Sequence, residues 1–212
     1  MTSERTVSYS AIPTKASQDT QALNKSRCQL VAGEPVWLFG YGSLIYKVDF
    51  DYLERRPAYI QHWVRRFWQG SHDHRGTPQA PGRVATLVQK PGAHCVGMAY
   101  KVAPEVFEHL DHREKNGYLR LSTTLHFHQE DDEEVSEQAE GLVYIATEDN
   151  EAFLGAAAEG PADEQEIARH IAQSEGPSGP NDEYVLKLAE ALRELNADDP
   201  HVFAIEQHLR GF

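Results

Sequence analysis

The apolar positions of this chain fall into two regimes. Over residues 1–34 they are scattered among Ser, Thr, Gln and Lys with no sustained period, which predicts a loose, flexible N-terminal extension without chemistry of its own. On that reading the chain works without residues 1–33. At Val36-Trp37-Leu38-Phe39 the pattern changes to a continuous apolar run of strand composition, stopped by Gly40-Tyr41-Gly42-Ser43. Further strands are expected over 59–68, 82–89, 95–102, 119–128 and 141–147. Helices are signalled over 104–115, where proline opens the first turn and Asn116-Gly117 stops it, over 161–174, over 182–195 behind an Asn181 cap, and over 201–209.

Strands come first and helices mostly later, an α+β order rather than a repeating βαβ one. The expected architecture is a single domain over 35–212, a small, mainly antiparallel β-barrel with flanking α-helices. Between the last two strands, 129–140 holds Glu130, Asp131, Asp132, Glu133, Glu134, Glu137 and Glu140. Such a run reads as a solvated hairpin loop.

Composition narrows the function classes. The chain has 212 residues, 40% of them hydrophobic, enough to bury a core without covalent staples. Its two cysteines, Cys28 and Cys95, form no C-x-x-C pair, so neither a disulfide framework nor a zinc ribbon is encoded and a reducing compartment is expected. No apolar run approaches membrane-spanning length, and the polar start Met1 to Lys15 holds no signal-peptide core, so a soluble, cytoplasmic protein without membrane contact is expected. The net charge of −13 argues against a nucleic-acid partner. That charge is unevenly divided: residues 1–104 carry 13 Lys/Arg against 7 Asp/Glu, and residues 105–212 carry 7 against 26. The basic half includes Arg55, Arg56, Arg65, Arg66, Arg75 and Arg83, either solvated charges or a site for a small anion.

Two local features carry candidate chemistry. The Gly40-Tyr41-Gly42-Ser43-Leu44 turn follows a buried-type strand, and its closely spaced glycines let consecutive backbone N–H groups face a ligand. It is neither a dinucleotide fingerprint nor a Walker loop, and an ordinary strand-ending turn has the same composition. Glu114 falls in the last turn of an expected helix, where the dipole disfavours a carboxylate. Burial there would raise its pKa toward that of a general acid/base, while a surface ion pair is the plainer alternative. Its neighbours Arg113 and Lys115 would each point about 100° away around a continuing helix. The closest histidine spacings, His72-x-His74 and His109-x-x-His112, lack companion ligands, so no metal site is expected.

Taken in order, Phe39-Gly40-Tyr41-Gly42-Ser43-Leu44-Ile45, Arg66-Phe67-Trp68-Gln69-Gly70-Ser71 with Asp73-His74-Arg75-Gly76, Pro81-Gly82-Arg83-Val84, Leu110 through Tyr118, and Gly176-Pro177-Ser178-Gly179 resemble the ChaC-type glutathione-specific gamma-glutamylcyclotransferases. The likeness runs from about Val36 to Leu209. It departs at the extension, at the acidic run around Asp131 to Glu134 and at Pro180. The resemblance implies a compact barrel with flanking helices and conversion of glutathione to 5-oxoproline and cysteinylglycine without cofactor or metal. It implies Glu114 as catalytic base, and Tyr41, Gly42, Ser43 and Leu44 as the loop holding the gamma-glutamyl group. Gln69 falls within the matching blocks as a further substrate contact. Tyr118 would orient Glu114 or the substrate, and Arg75 or Arg83 would meet the glycine-end carboxylate. The alternatives are the same cyclisation on gamma-glutamyl amino acids or amines, and a non-enzymatic regulator of cation transport.

Overall fold

The computed structural model describes residues 20–27, 30–127, 137–160 and 162–211. Five strands close a barrel: β1 (Val36–Gly40), β2 (Glu54–Ser71), β3 (Gly82–Val102), β4 (Tyr118–Phe127) and β5 (Glu137–Ala146), in the spatial order β1-β3-β2-β4-β5. Closure is by a parallel pairing of β1 with β5, Trp37 against Gly141 and Phe39 against Val143. All other pairings are antiparallel, so the barrel is mixed and mainly antiparallel, as expected. Around it lie α2 (Val106–Arg113), α3 (Ala162–Ala172), α4 (Asn181–Glu194) and α5 (Pro200–Leu209), preceded in the chain by α1 (Gln21–Arg27).

The strands supply the apolar core, and Leu38, Phe39, Ile60, Phe67, Tyr100, Leu125, Phe127 and Ile145 are fully buried. The later helices add Ile167, Ile171, Val185, Leu188, Leu192, Val202 and Ile205 to the same core. Burying one such side chain contributes about 1.5–3 kcal/mol.

Four expectations are revised. The strands read over 82–89 and 95–102 are one strand, because the Pro91-Gly92 punctuation marks a bulge and not a break: Gln61 pairs with His94 and Trp63 with Gln89. His62 opposite takes φ 69, Gly92 takes φ 79, and the Gly92 amide donates to His62 Nδ1 at 3.1 Å. Asn181 is not a cap. It lies inside α4, fully buried, where its Oδ1 accepts from the Arg83 amide (2.7 Å) and its Nδ2 donates to the Arg83 carbonyl (2.9 Å). Glu137 and Glu140, read as loop, are strand residues: Glu137 pairs with Arg56, and Glu140 accepts from Thr124 Oγ1. The remainder of that acidic run, like Cys28, lies outside the described residues.

The fourth revision concerns the 1–34 segment read as loose. Within it α1 is a formed helix, with Thr20 and Asn24 buried against the α2–β4 turn. Residues 1–19 lie outside the described residues.

Candidate active site

The barrel and the loops beside it enclose a cavity of about 420 Å³, in the size range of small-molecule sites. Tyr41, Gly42, Ser43, Leu44, Arg75, Glu114 and Tyr118 all line it; Gln69 and Arg83 do not. Residues separated by more than 70 positions are thus brought to one space.

One wall is the turn after β1. A Cβ on Gly40 would fall 2.6 Å from Leu44 Cβ, so only glycine lets the chain fold back there. Ser43–Ile45 then forms one turn of 3₁₀ helix. Among the described residues the amides of Gly42, Ser43 and Leu44 meet no backbone carbonyl, which leaves a cluster of donors at the cavity. The turn's carbonyls are fixed from the strands: Arg65 Nε donates to Tyr41 O (2.5 Å), Tyr100 to Leu44 O (2.6 Å) and Arg55 to Ile45 O (3.2 Å). Arg65 is itself buried and paired with Asp199, the cap of α5. The Tyr41 ring is buried and donates to Tyr144 O at 2.7 Å.

The opposite wall carries Glu114, which closes the last turn of α2 through its amide to Leu110 O (2.8 Å) and then leaves the helix at φ −93, ψ 14. Its side chain is only 19% exposed. Burial pushes its pKa above the ordinary glutamate range; Arg113 and His74 pull it back, and Asp49 and Asp73 push it up further. Arg113 does pair with it, Nε to Oε1 at 3.2 Å. The angular argument that separated the two holds only inside a helix, and Glu114 stands just past its end. Arg113 also donates to Asp49 Oδ1 (2.9 Å) and Ser43 Oγ (3.0 Å), so one guanidinium links the carboxylate to the donor-rich turn.

The remaining residues divide by task. Arg75 lines the cavity, with Nη1 donating to Pro180 O (2.8 Å) and Glu183 Oε2 (2.9 Å). Among the described residues its Nε and Nη2 have no hydrogen-bond partner. Arg83 sits behind the wall, donating through Nη1 to Phe67 O (3.0 Å) and Gly155 O (2.8 Å) and through Nε to His170 (3.3 Å). It is a brace for strand and loop, since buried carbonyls at those points have no strand partner and a planar guanidinium reaches two of them at once. Gln69 is fully buried in a reciprocal amide pair with Asn150 (3.2 and 3.1 Å), and its Nε2 lies 3.4 Å from Asn116 O. It supports the floor below Asn116 and touches no part of the cavity. The Tyr118 hydroxyl is engaged by Ala85 O at 2.9 Å, so the ring shapes the wall. Gly176-Pro177-Ser178-Gly179 forms a minute hairpin stitched to the 74–76 loop by the Ser178 amide and His74 O (2.9 Å).

Sequence reasoning missed Tyr184, Asp49, Asp73, Arg113 and Asn116 as cavity residues. Tyr184 carries no local signal: it is an apolar-face residue of α4 whose hydroxyl reaches the turn, 2.6 Å from where a Gly42 Cβ would stand.

One cluster of metal-ligand types lies elsewhere. Asp163, Glu164 and His201 converge within 4.8 Å, but each is already engaged: Asp163 accepts from Trp68 Nε1 and the Ala157 amide, and His201 joins Glu164 at 2.9 Å while accepting the Phe67 amide at 3.1 Å. These bonds are structural, joining α3 and α5 to β2.

The family model described as ChaC-like protein matches residues 36–211. The chain belongs to the ChaC-like family. A glutathione-specific gamma-glutamylcyclotransferase 1 of Danio rerio is 42% identical over 189 residues, covering 85% of this chain and 92% of the relative. The glutathione-specific gamma-glutamylcyclotransferase of Saccharomyces cerevisiae is 39% identical, covering 76% and 86%. Among solved structures, a yeast gamma-glutamyl cyclotransferase specific to glutathione superimposes with a TM-score of 0.76 at 33% identity, covering 84% of this chain and 97% of that one. The ChaC-like match begins at residue 36, so α1 lies before it. No helix among the described residues is long and apolar enough to cross a membrane.

Proposed function

We propose that this protein is a glutathione-specific gamma-glutamylcyclotransferase with Glu114 as its general acid/base. The observation that carries the reading is Glu114 itself, a carboxylate of raised pKa lining the same small cavity as the 42–44 turn, whose amides meet no backbone carbonyl among the described residues. The names of the relatives support the substrate.

The reaction makes three demands. The α-ammonium of the gamma-glutamyl group must lose a proton, its nitrogen must be held against its own γ-carbonyl carbon, and the oxyanion formed there must be stabilised. A free α-amine has a pKa near about 8, and a glutamate above its ordinary range is a better-matched acceptor than an exposed one. Glu114 takes the proton, and the nitrogen closes on the γ-carbon. The amide bond to cysteine then breaks as that proton passes from Glu114 to the departing amine. The second proton shed by the ring nitrogen follows the same route through Glu114, so the products are the neutral lactam and an ammonium and the carboxylate is regenerated. No water is consumed. The 42–44 amides hold either the α-carboxylate or the oxyanion, both anions suited to that cluster. Arg75, the one of the two candidate arginines on the cavity, meets the glycine-end carboxylate. Nothing in this scheme calls for a metal or nucleotide, and the protein acts in the cytosol.

Incubating the purified protein with glutathione, and separately with gamma-glutamyl amino acids, tests the reading by mass detection of products. The expected result is 5-oxoproline with cysteinylglycine, formed faster from glutathione. Equal or faster turnover of gamma-glutamyl amino acids would move the substrate assignment, and no product from either would remove the enzymatic reading in favour of a binding protein.

A further inference from the structure

Just past the end of α2, the carbonyls of Glu114, Lys115 and Tyr118 have no helical ladder to bond them. Here the usual remedy, a left-handed glycine directly after the helix, is delayed: Gly117, at φ +90, comes only after Glu114, Lys115 and Asn116. Beside the Gly117 amide, which reaches Lys115 O at 3.0 Å, the donors come from more than 90 residues earlier in the chain. The Thr20 amide donates to Lys115 O at 2.9 Å. Its hydroxyl lies 2.8 Å from Tyr118 O, 3.0 Å from Lys115 O and 3.4 Å from Glu114 O, and its single proton has Tyr118 O as nearest acceptor. One turn further along α1, Asn24 Nδ2 donates to the same Tyr118 carbonyl at 3.0 Å, and its Oδ1 accepts the Arg120 amide at 2.8 Å. Arg120 Nη2 returns a bond to Asn24 O at 3.0 Å.

Thr20 is 1% exposed and Asn24 fully buried. A helix that buries one polar residue, with a second at the position just before it, both bonded to one segment, is fixed by direction as well as by area, since a shift would leave those groups unsatisfied away from water. The segment they grip, 114–120, begins with the carboxylate assigned as proton acceptor. On its cavity side the same turn is held by Asn116 Nδ2 on Asp73 (2.6 Å) and by Gln69 beneath Asn116. The α1 bonds complete the fixation from the far side.

We infer that Thr20 and Asn24 are positioning residues for Glu114: α1 clamps the 114–118 turn from behind and sets where the carboxylate stands in the cavity. The inference rests on the proposed role of Glu114, and it reverses the expectation that residues before the barrel are dispensable. α1 lies before the residues that the ChaC-like model matches.

The test uses the full-length protein with Thr20→Val, Thr20→Ser, Asn24→Ala and, as a control on the exposed side of the same helix, Ser26→Ala. Misplacing a catalytic group by about an ångström costs up to roughly a hundredfold. Thr20→Val and Asn24→Ala are therefore expected to lower kcat for glutathione about tenfold, with KM within about twofold of wild type. Thr20→Ser, which keeps the hydroxyl, restores kcat, and Ser26→Ala leaves it unchanged. In a Glu114→Gln background, Thr20→Val lowers the residual rate no further, as expected of a residue acting through Glu114. A kcat within about twofold of wild type in both Thr20→Val and Asn24→Ala, with only the melting temperature reduced, overturns the inference and leaves α1 as a structural anchor. A multiplicative loss in the Glu114→Gln background overturns it as well.

If Thr20→Val does not fold, Asn24→Ala and amide exchange of the wild type decide. The Thr20 and Arg120 amides are expected to be strongly protected, and exchange of either at the rate of unstructured chain refutes the clamp. Failure of the underlying reading looks different, since wild-type protein would then release no 5-oxoproline, or Glu114→Gln would keep its turnover.

Discussion

The turns 40–45 and 114–118 face one cavity, yet the first is gripped by barrel strands and the second mostly by groups outside them. Around Tyr41 to Ile45, β1 is paired on both sides, to β3 and β5, and the turn's carbonyls are capped by Arg55 and Arg65 of β2 and Tyr100 of β3. Around Glu114, the holding groups are Thr20 just before α1, Asn24 of α1, Asp73 of a loop and, from the barrel, only Gln69 of β2 through Asn116. A donor cluster for an anion needs fixed backbone, which a closed barrel supplies. A proton-transferring carboxylate needs a tuned environment, and at this turn that comes from separate elements, each adding one group.

The largest effect that separates the two turns is expected from Glu114→Gln. An amide cannot accept the ammonium proton, so kcat should fall about 100-fold or more with KM within about threefold, while a loss under threefold would break the assignment. The raised pKa of Glu114 has a stability consequence of definite sign. Protonation is favoured in the folded state, so the glutamate's contribution is fully present below the ordinary carboxylate range and is lost as pH rises through the folded pKa. Glu114→Gln should therefore melt no lower than wild type at neutral pH, with any advantage shrinking in acid.

On the other wall, Gly42→Ala puts a methyl 2.6 Å from the Tyr184 hydroxyl. Tyr184 is packed in the core, so the turn must move, and kcat/KM should drop roughly tenfold. Adding Tyr184→Phe removes the clashing oxygen and should recover part of the loss. An equal or deeper loss in the double variant would show that the hydroxyl itself serves the substrate.

The arginines sharpen the contrast between cavity and brace. Arg75→Met should raise KM for glutathione by about tenfold, in keeping with about 1.5 kcal/mol for a charge-assisted bond, and spare a gamma-glutamyl substrate lacking the glycine carboxylate. Arg83→Met should lower the melting temperature and leave the preference between those substrates unchanged, because its bonds go to Phe67 and Gly155 carbonyls. Identical kinetic losses on both substrates from Arg75→Met would remove it from recognition.

The smallest effect expected is a displacement in pH. Glu114 faces Arg113, His74, Asp49 and Asp73, and the acid limb of kcat/KM should lie above the ordinary glutamate range. Arg113→Met removes the nearest positive charge and should move that limb to higher pH; movement to lower pH would mean another group titrates there.

The same contrast explains what could be read from the chain alone. The barrel was legible because its strands are apolar runs of strand composition bounded by turn residues, and the 40–45 turn was legible because it is local. Glu114 stood out as a carboxylate at the wrong end of a helix. Its pairing with Arg113 was not legible, since it depends on the helix ending at Arg113, two residues earlier than the Asn116-Gly117 stop suggests. Arg83 and Gln69 were misplaced for a different reason: an inward arginine or glutamine in a strand has the same local pattern whether it meets a ligand or an orphaned carbonyl. Thr20 and Asn24 carry no local signal, because their partners lie more than 90 residues away.

Intramolecular closure is the central claim, and turnover of glutathione in heavy-oxygen water tests it most directly. The account predicts equal amounts of 5-oxoproline and cysteinylglycine with no heavy oxygen in either, because the attacking atom is the substrate's own nitrogen. Heavy oxygen appearing in released glutamate would mean hydrolysis and would contradict it.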